Sequence, residues 1–349
     1  MQQILPILKH SLSLTLQLFF PFAATLKCPL QPHKPHIDYL DGGSVSFTVA
    51  ESTADFAHLI GYSPQDVRSF HPFVPEFPPT RTSENGTVCL PLMAIQVTVL
   101  PCSGFAVCVN FNHVVADGKA FHRFMKSWAF LCRTKGDLNS LQGSIPFHDR
   151  AIVADQKGLE HCFLKEWWDS PIEQSKNRVE SVRATTTSKN WGAPSLGILA
   201  DCRNRLEFPL PSTYFGNCLM AHSVALERKE LVGENGIVEA VKAIGNKVKN
   251  LESGVLRGAE KWISDVKRIR KLGQPRIVVA GSPRFVVYET DFGWVRPKKS
   301  EVVQIDATGS IALADSRDGN GGIEVGLALG RTQMNDFVTI LENTFKIML

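Results

Sequence analysis

Leu5, Leu8, Leu12 and Leu16 recur at three- and four-residue steps, which places them on one face of a helix. The pattern predicts a helix starting near Leu5, with Pro6 in the first turn where a missing N–H costs nothing, and ending before Pro21. Lys9 and His10, ahead of an apolar run that closes on Ala23 and Ala24, also have the outline of a cleaved leader. Ser11, Ser13, Thr15 and Gln17 alternate with leucines and interrupt the apolar core that a leader needs, so a buried helix is the preferred reading. No stretch reaches the ~18–20 uninterrupted apolar residues of a membrane span, and no membrane partner is expected.

From Ser69 to Pro79, Phe70, Phe73 and Phe77 are interleaved with Pro72, Pro75, Pro78 and Pro79, which excludes a regular helix and predicts an extended crossing loop. Leu92 to Leu100 reads as a strand, Pro101 to Gly104 as a turn, and the alternation of Phe105, Val107, Val109 and Phe111 as the returning strand of a hairpin. That strand runs into Asn112-His113-Val114-Val115-Ala116-Asp117-Gly118, with Gly118 expected where the chain turns sharply. Phe121, Phe124, Met125, Trp128 and Cys132 then mark one face of a helix.

Leu159 to Asn190 is charged and weakly periodic. Beyond it, the second half opens with Ile198 to Cys202 and a Pro-containing loop through Pro211, and strands are expected at Arg276 to Ala280, Phe285 to Tyr288, Val302 to Ile305, Ser310 to Ala314 and Ile323 to Leu329, with Asp318 to Gly322 as a hairpin tip. Lys229 to Arg270 is largely helical in pattern, and a closing helix carries Met334, Phe337, Leu341 and Phe345 on one face. Strands and helices without a strict βαβ repeat predict an α/β fold with mixed sheets and flanking helices. The expected division is residues 1–165, a shortened link over 166–196, and 197–349.

The 349 residues carry 38 Lys and Arg against 34 Asp and Glu, a net charge of +4, too small and dispersed for a nucleic-acid partner. Lys267, Arg268, Arg270 and Lys271 form a local basic cluster that reads as the solvated face of a helix. Cys28, Cys89, Cys102, Cys108, Cys132, Cys162, Cys202 and Cys218 stand singly, with no CxxC and no histidine at ligand spacing. No metal site is expected, and a reducing, cytoplasmic setting is.

A histidine at a strand end, in the turn before a helix, is presented by a rigid scaffold to the space beyond it. Its ordinary pKa near ~6.5 suits removal of a proton from a hydroxyl at neutral pH. Taken alone, the four-residue spacing of His113 and Asp117 often arises by chance, and a histidine satisfying a core hydrogen bond is its commoner meaning.

Two further motifs change that weighting. His113 to Gly118 resembles the HxxxDG signature of the BAHD acyltransferases, and Asp291-Phe292-Gly293-Trp294 resembles the first four residues of that family's DFGWG motif. Ala200-Asp201-Cys202-Arg203 and Tyr214-Phe215-Gly216-Asn217-Cys218 resemble sequences of the anthocyanin and phenolic-glucoside malonyltransferase branch, and the likeness runs over almost the whole chain.

The resemblance implies two chloramphenicol-acetyltransferase-like domains with a channel between them, acting as a monomer without a permanently bound cofactor. Acyl-CoA, with malonyl-CoA favoured, would be the co-substrate, and a phenolic, flavonoid or anthocyanin glucoside the acceptor. His113 would be the general base, and Asp117 would point away from the reacting atoms and shape the loop through a salt bridge. Asp291 would pair with an arginine, for which Arg203 is the candidate, and Trp294 or its backbone would stand near the oxyanion. A structural role for Asp291 and Trp294 is the other reading. A carboxylated donor needs a cation in the acyl pocket. Lys119 and Arg123 lie within reach but stay unassigned, because helix-surface solvation or contact with coenzyme A phosphates would account for them equally.

Three departures from the family pattern stand out. The family's chain begins with a further strand and loop. Thr186 to Leu196 looks like a splice across an internal gap, and Val295 occupies the place of the final glycine of DFGWG. Lost buried elements would expose apolar surface, at ~25 cal/mol per Å². Val295 would be strained if that position needs positive φ. The alternative reading is therefore a catalytically impaired, truncated paralogue.

Overall fold

In the computed structural model the described residues are 3–348, apart from 142, 156, 170–194, 226, 253, 272–275 and 306–309. Most of the expected splice, residues 186–194, lies outside them.

Helix α1 spans Ile4–Leu18 and buries Leu8 and Leu12. Ser11 and Thr15 share that buried face because their hydroxyls donate to the carbonyls of Ile7 and Ser11, at 2.8 and 2.7 Å. This is why polar residues interrupt the leucine run without breaking the helix. The indole N–H of Trp128 donates to the Leu8 carbonyl at 3.1 Å, which staples α1 to the helix that follows the His113 turn.

Strands β1 (Thr25–Cys28), β2 (His36–Asp38), β4 (Arg81–Thr82) and β5 (Val88–Pro91) form an antiparallel sheet in the order β2-β1-β5-β4. Strand β3 (Ser46–Glu51) runs parallel to β6 (Met93–Leu100), which returns as β7 (Gly104–Phe111) in the expected hairpin, with Met93 opposite Phe111. A short helix, α2 (Phe56–Ile60), follows β3.

The Pro-rich passage is irregular, as its sequence requires, with short 3-10 turns at Val67–Ser69 and His71–Phe73. It is laid across the hairpin by side-chain amides: Gln96 donates to the Pro72 carbonyl at 2.8 Å and Asn110 to the Pro75 carbonyl at 3.1 Å. Helix α3 (Gly118–Arg133) packs Phe124 and Trp128 into the same core as α1. That core is closed by edge-to-face aromatic contacts of Phe19 with Phe124 at 5.6 Å, and of Phe22 with Phe215 at 5.2 Å. Phe215 thus fills the first half's core from the second half of the chain.

The second half contains α4 (Leu159–Trp168), β8 (Ser195–Asp201), β9 (Leu219–Ala225), α5 (Arg228–Val232), α6 (Gly236–Glu252), α7 (Trp262–Lys271), β10 (Arg276–Gly281), β11 (Ser310–Asp315), β12 (Ile323–Leu327) and α8 (Arg331–Met348). Its sheet, β12-β11-β10-β8-β9, is mixed: β8, β10 and β11 are parallel and both edge strands antiparallel.

Two expected strands are absent. Phe285 to Tyr288 lies in consecutive 3-10 turns, Pro283–Phe285 and Val287–Glu289, joined at Val286 with φ +50°; Pro283 starts that turn and Ser282 caps it. Val302 to Ile305 does not form a strand, and Val303 and Gln304 make a turn there. In the basic cluster, Lys267 pairs with Glu166 and Arg268 with Asp265, both at the surface. The closing helix forms as expected but does not bury its apolar face: Phe337, Leu341 and Phe345 are 40%, 41% and 56% exposed. Ile237 and Val241 of α6 are likewise exposed.

Candidate active site

His113 sits in the turn that joins β7 to α3, exposed, with its ring stacked against Phe111 at 6.0 Å. Among the described residues neither ring nitrogen has a hydrogen-bond partner, so the imidazole is available to a ligand. The turn is built locally by Asn112, whose carbonyl accepts from Val115 N–H at 3.1 Å and whose side chain accepts from Val114 N–H at 3.1 Å. Val115, Ala116 and Asp117 are buried directly behind it.

Asp117 points inward, with a fully buried carboxylate. Its Oδ1 accepts from Ala120 N–H at 3.0 Å and so caps α3. Its Oδ2 lies 2.8 Å from Arg203 Nη1 and accepts from Cys218 N–H at 3.0 Å. The equally buried Arg203 also meets Asp201 at 3.0 Å and donates to the carbonyls of Tyr214 and Gly216, at 3.2 and 3.0 Å. Burial works against the guanidinium charge, but the hydrogen bonds and charges of Asp117 and then Asp201 outweigh it and raise its pKa above the ordinary arginine value. Burial likewise opposes the charge of Asp201, yet Lys119 and Arg203 hold its carboxyl below the usual range. The basic residue expected opposite Asp117 is therefore Arg203. Its expected pairing with Asp291 does not form.

The Tyr214 to Cys218 run wraps this ion pair. Tyr214 and Phe215 are buried, and Phe147 N–H donates to the Thr213 carbonyl at 3.0 Å while Phe215 N–H donates to the Phe147 carbonyl at 2.9 Å. Gly216, with φ +144°, lies against the guanidinium of Arg150 so closely that a Cβ would collide with it. Asn217 Nδ2 donates to the backbone carbonyls of His113 and Val114, at 2.6 and 3.2 Å. Cys202 N–H donates to the Cys218 carbonyl at 2.8 Å, closing the strap onto the end of β8. Burial pushes the thiols up, Cys202 to about 12 and Cys218 to about 11, so neither is a thiolate nucleophile near neutrality.

Arg150 is a supporting residue that sequence reasoning missed. Its guanidinium stands over the Tyr214 ring at 5.4 Å and donates to the Tyr214 hydroxyl at 3.1 Å. It lies in an irregular segment, with no periodicity to mark it. Gly118 lies at the start of α3, where the chain turns, in close contact with a neighbouring ring. Its φ is not positive, but a Cβ there would stand 3.0 Å from the Phe285 ring.

The second motif lies at the far end of the same elements. Phe292 packs edge-on against Trp128 at 5.0 Å, Gly293 (φ +99°) lies against the backbone of Arg133, and Trp294 packs edge-on against Phe105 at 5.6 Å. Phe105 and Phe111 are separated by roughly 20 Å of strand at ~3.4 Å per residue, and His113 follows Phe111. Trp294 therefore has no place beside an oxyanion formed at His113. Asp291 accepts from Gly293 N–H at 2.8 Å and shapes its own turn. Val295 is 68% exposed and is not among the positive-φ residues, so the strain considered for it does not arise. Trp294→Ala is expected to lower the melting temperature while leaving KM for both substrates unchanged. A changed KM with an unchanged melting temperature would overturn the purely structural role.

Lys119 and Arg123, the unassigned cations, are both engaged. Lys119 Nζ lies 2.9 Å from Asp201, and Arg123 Nη2 donates to the Ser212 carbonyl at 3.0 Å. Burial and then the charge of Arg203 lower the Arg123 pKa.

The Transferase family model matches residues 2–191 and 175–344. Coumaroyl-CoA:anthocyanidin 3-O-glucoside-6''-O-coumaroyltransferase 1 of Arabidopsis thaliana is 34% identical over 408 aligned positions that cover 99% of this chain and 87% of that protein. That alignment exceeds the 349-residue chain by 59 positions (408 less 349), so the relative carries at least that many residues with no counterpart here. Malonyl-coenzyme:anthocyanin 5-O-glucoside-6'''-O-malonyltransferase of Salvia splendens is 32% identical, covering 96% of this chain and 82% of that protein. Among solved structures, vinorine synthase superposes with a TM-score of 0.64 at 19% identity, covering 96% of this chain and 83% of that one; the shared fold is the chloramphenicol-acetyltransferase-like one. With the family model spanning nearly all of its length, the chain belongs to the Transferase family of BAHD acyltransferases.

Proposed function

We propose that this protein transfers an acyl group from coenzyme A to a sugar hydroxyl of a phenolic, flavonoid or anthocyanin glucoside, with His113 as general base. The observation that carries the reading is the exposed imidazole of His113, without a hydrogen-bond partner at either ring nitrogen among the described residues, on a turn anchored by the buried Asp117–Arg203 pair. In this mechanism a ring nitrogen of His113 takes the proton from the acceptor hydroxyl as its oxygen bonds to the thioester carbonyl carbon. The tetrahedral intermediate then collapses with cleavage of the carbon–sulfur bond, and His113 returns the proton to sulfur. Asp117 stays away from the reacting atoms and holds the turn.

For the donor, the Tyr214 to Cys218 run favours malonyl-CoA by its likeness to the malonyltransferase branch. The likeness to a coumaroyltransferase at 34% identity favours an uncharged hydroxycinnamoyl donor instead, and Lys119, paired with Asp201, is not a free cation for a malonyl carboxylate. Incubation with malonyl-CoA and coumaroyl-CoA over a panel of phenolic glucosides, read by free thiol and product mass, decides between them. Transfer from one donor alone names it, and transfer to simple alcohols or amines but to no glucoside sinks the acceptor assignment.

The second reading, a catalytically impaired paralogue, draws on the 59 or more positions without counterpart and on the exposed apolar faces of α6 and α8. A monodisperse, cooperatively melting preparation that transfers from neither of these donors nor from acetyl-CoA would favour it.

A further inference from the structure

The exposed part of the His113 turn is held from outside by one side chain. The turn is fixed on one side by the last rung of the hairpin, Asn112 N–H to the Leu92 carbonyl at 2.9 Å, and on the other by buried Val115, Ala116 and Asp117. Between these lie His113 and Val114, both exposed. Asn217, more than a hundred residues away in sequence, donates to both, at 2.6 and 3.2 Å.

We propose that Asn217 is a positioning residue for the reaction, fixing the backbone at His113 and through it the aim of the imidazole. The proposal rests on His113 being the general base. The strap can deliver this amide because the positions on either side are anchored: the Gly216 carbonyl is held by Arg203 and the Cys218 N–H by Asp117. The same buried pair therefore holds the turn from behind and locates the amide that holds it from in front. An amide suits this task, because its NH₂ supplies the two N–H donors that two adjacent carbonyls need. A carboxylate at this position would set acceptors against acceptors. Asn217 is itself exposed, so the hydrogen bonds it makes contribute little to global stability, and their effect is local.

The test compares Asn217→Ala, Asn217→Asp and Asn217→Gln with His113→Ala and the His113→Ala/Asn217→Ala double variant. The expected result is a kcat lower on the order of 10²-fold for Asn217→Ala, since a misplacement near 1 Å costs about that much. KM for acyl-CoA and the melting temperature should be unchanged, with a larger loss for Asn217→Asp and partial recovery in Asn217→Gln. Because Asn217 acts through His113, the double variant should be no slower than His113→Ala. Independently of turnover, the His113 ring proton resonance, assigned by its loss in His113→Ala, should be sharp in the wild type and broadened or shifted in Asn217→Ala.

If His113→Ala is fully active, the general-base reading fails and the positioning role falls with it. If His113→Ala is inactive while Asn217→Ala keeps wild-type kcat, or if the double variant loses further activity, the positioning role alone is overturned. If the wild type shows no turnover, the resonance decides, and an unchanged line in Asn217→Ala rejects the proposal.

Discussion

Replacing His113 by alanine is expected to lower turnover by ~10²–10⁴-fold, the usual contribution of a positioned general base, without lowering the melting temperature. The side chain is exposed and, among the described residues, without a hydrogen-bond partner at either ring nitrogen. Its removal opens no cavity and orphans no buried group. Circular dichroism melting beside steady-state rates with the donor found to be active makes the comparison. A variant that keeps full turnover would falsify the assignment of the base.

Replacing Arg203 by methionine should produce the largest loss of stability. It would leave the Asp117 carboxylate enclosed with no cation, a situation that costs ~3–5 kcal/mol in proteins where one partner of a buried ion pair has been removed. The carbonyls of Tyr214 and Gly216 would lose their donor at the same time. The Asp117→Asn/Arg203→Met double variant should recover part of that stability, because asparagine caps a helix as well as aspartate does and no buried charge remains. Turnover should not recover, since the strap would still lack its anchor. Urea denaturation of the two single variants and the double gives the coupling energy. Unfolding of Arg203→Met at the wild-type midpoint would show that the pair does not support the fold.

Local chemistry made the hairpin, the His113 turn and the helix after it legible in the sequence. Alternation at Phe105 to Phe111 and helical spacing at Phe121 to Trp128 are both enforced by one buried face. The failures came where a short apolar run stood outside such a context. Phe285 to Tyr288 has the composition of a strand, but Pro283 and the positive φ of Val286 fold it into turns against α3 and β11. The pairing of Asp117 with Arg203 joins residues 86 positions apart, and no local period reports a contact of that kind. The HxxxDG resemblance marks the aspartate as structural, whereas the arginine expected to pair with Asp291 pairs with Asp117 instead. Arg150 carried no signal at all, because a residue in irregular backbone is placed only by the tertiary contacts it makes.

The strap also sets an order of events during synthesis. The Asp117 carboxylate and its partner Cys218 N–H are 101 residues apart, and Phe215 fills a core whose other fully buried aromatic residues, Phe19, Phe22, Phe124 and Trp128, precede it by dozens of positions. At ~5–20 residues per second, the first half of the nascent chain waits roughly 5–20 s for them. Through that interval it carries an unpaired aspartate and an open aromatic socket. The His113 turn therefore cannot be completed on the ribosome until the chain has been made past Cys218, and a chaperone that shields the socket meanwhile would raise the yield of folded protein without touching the finished enzyme.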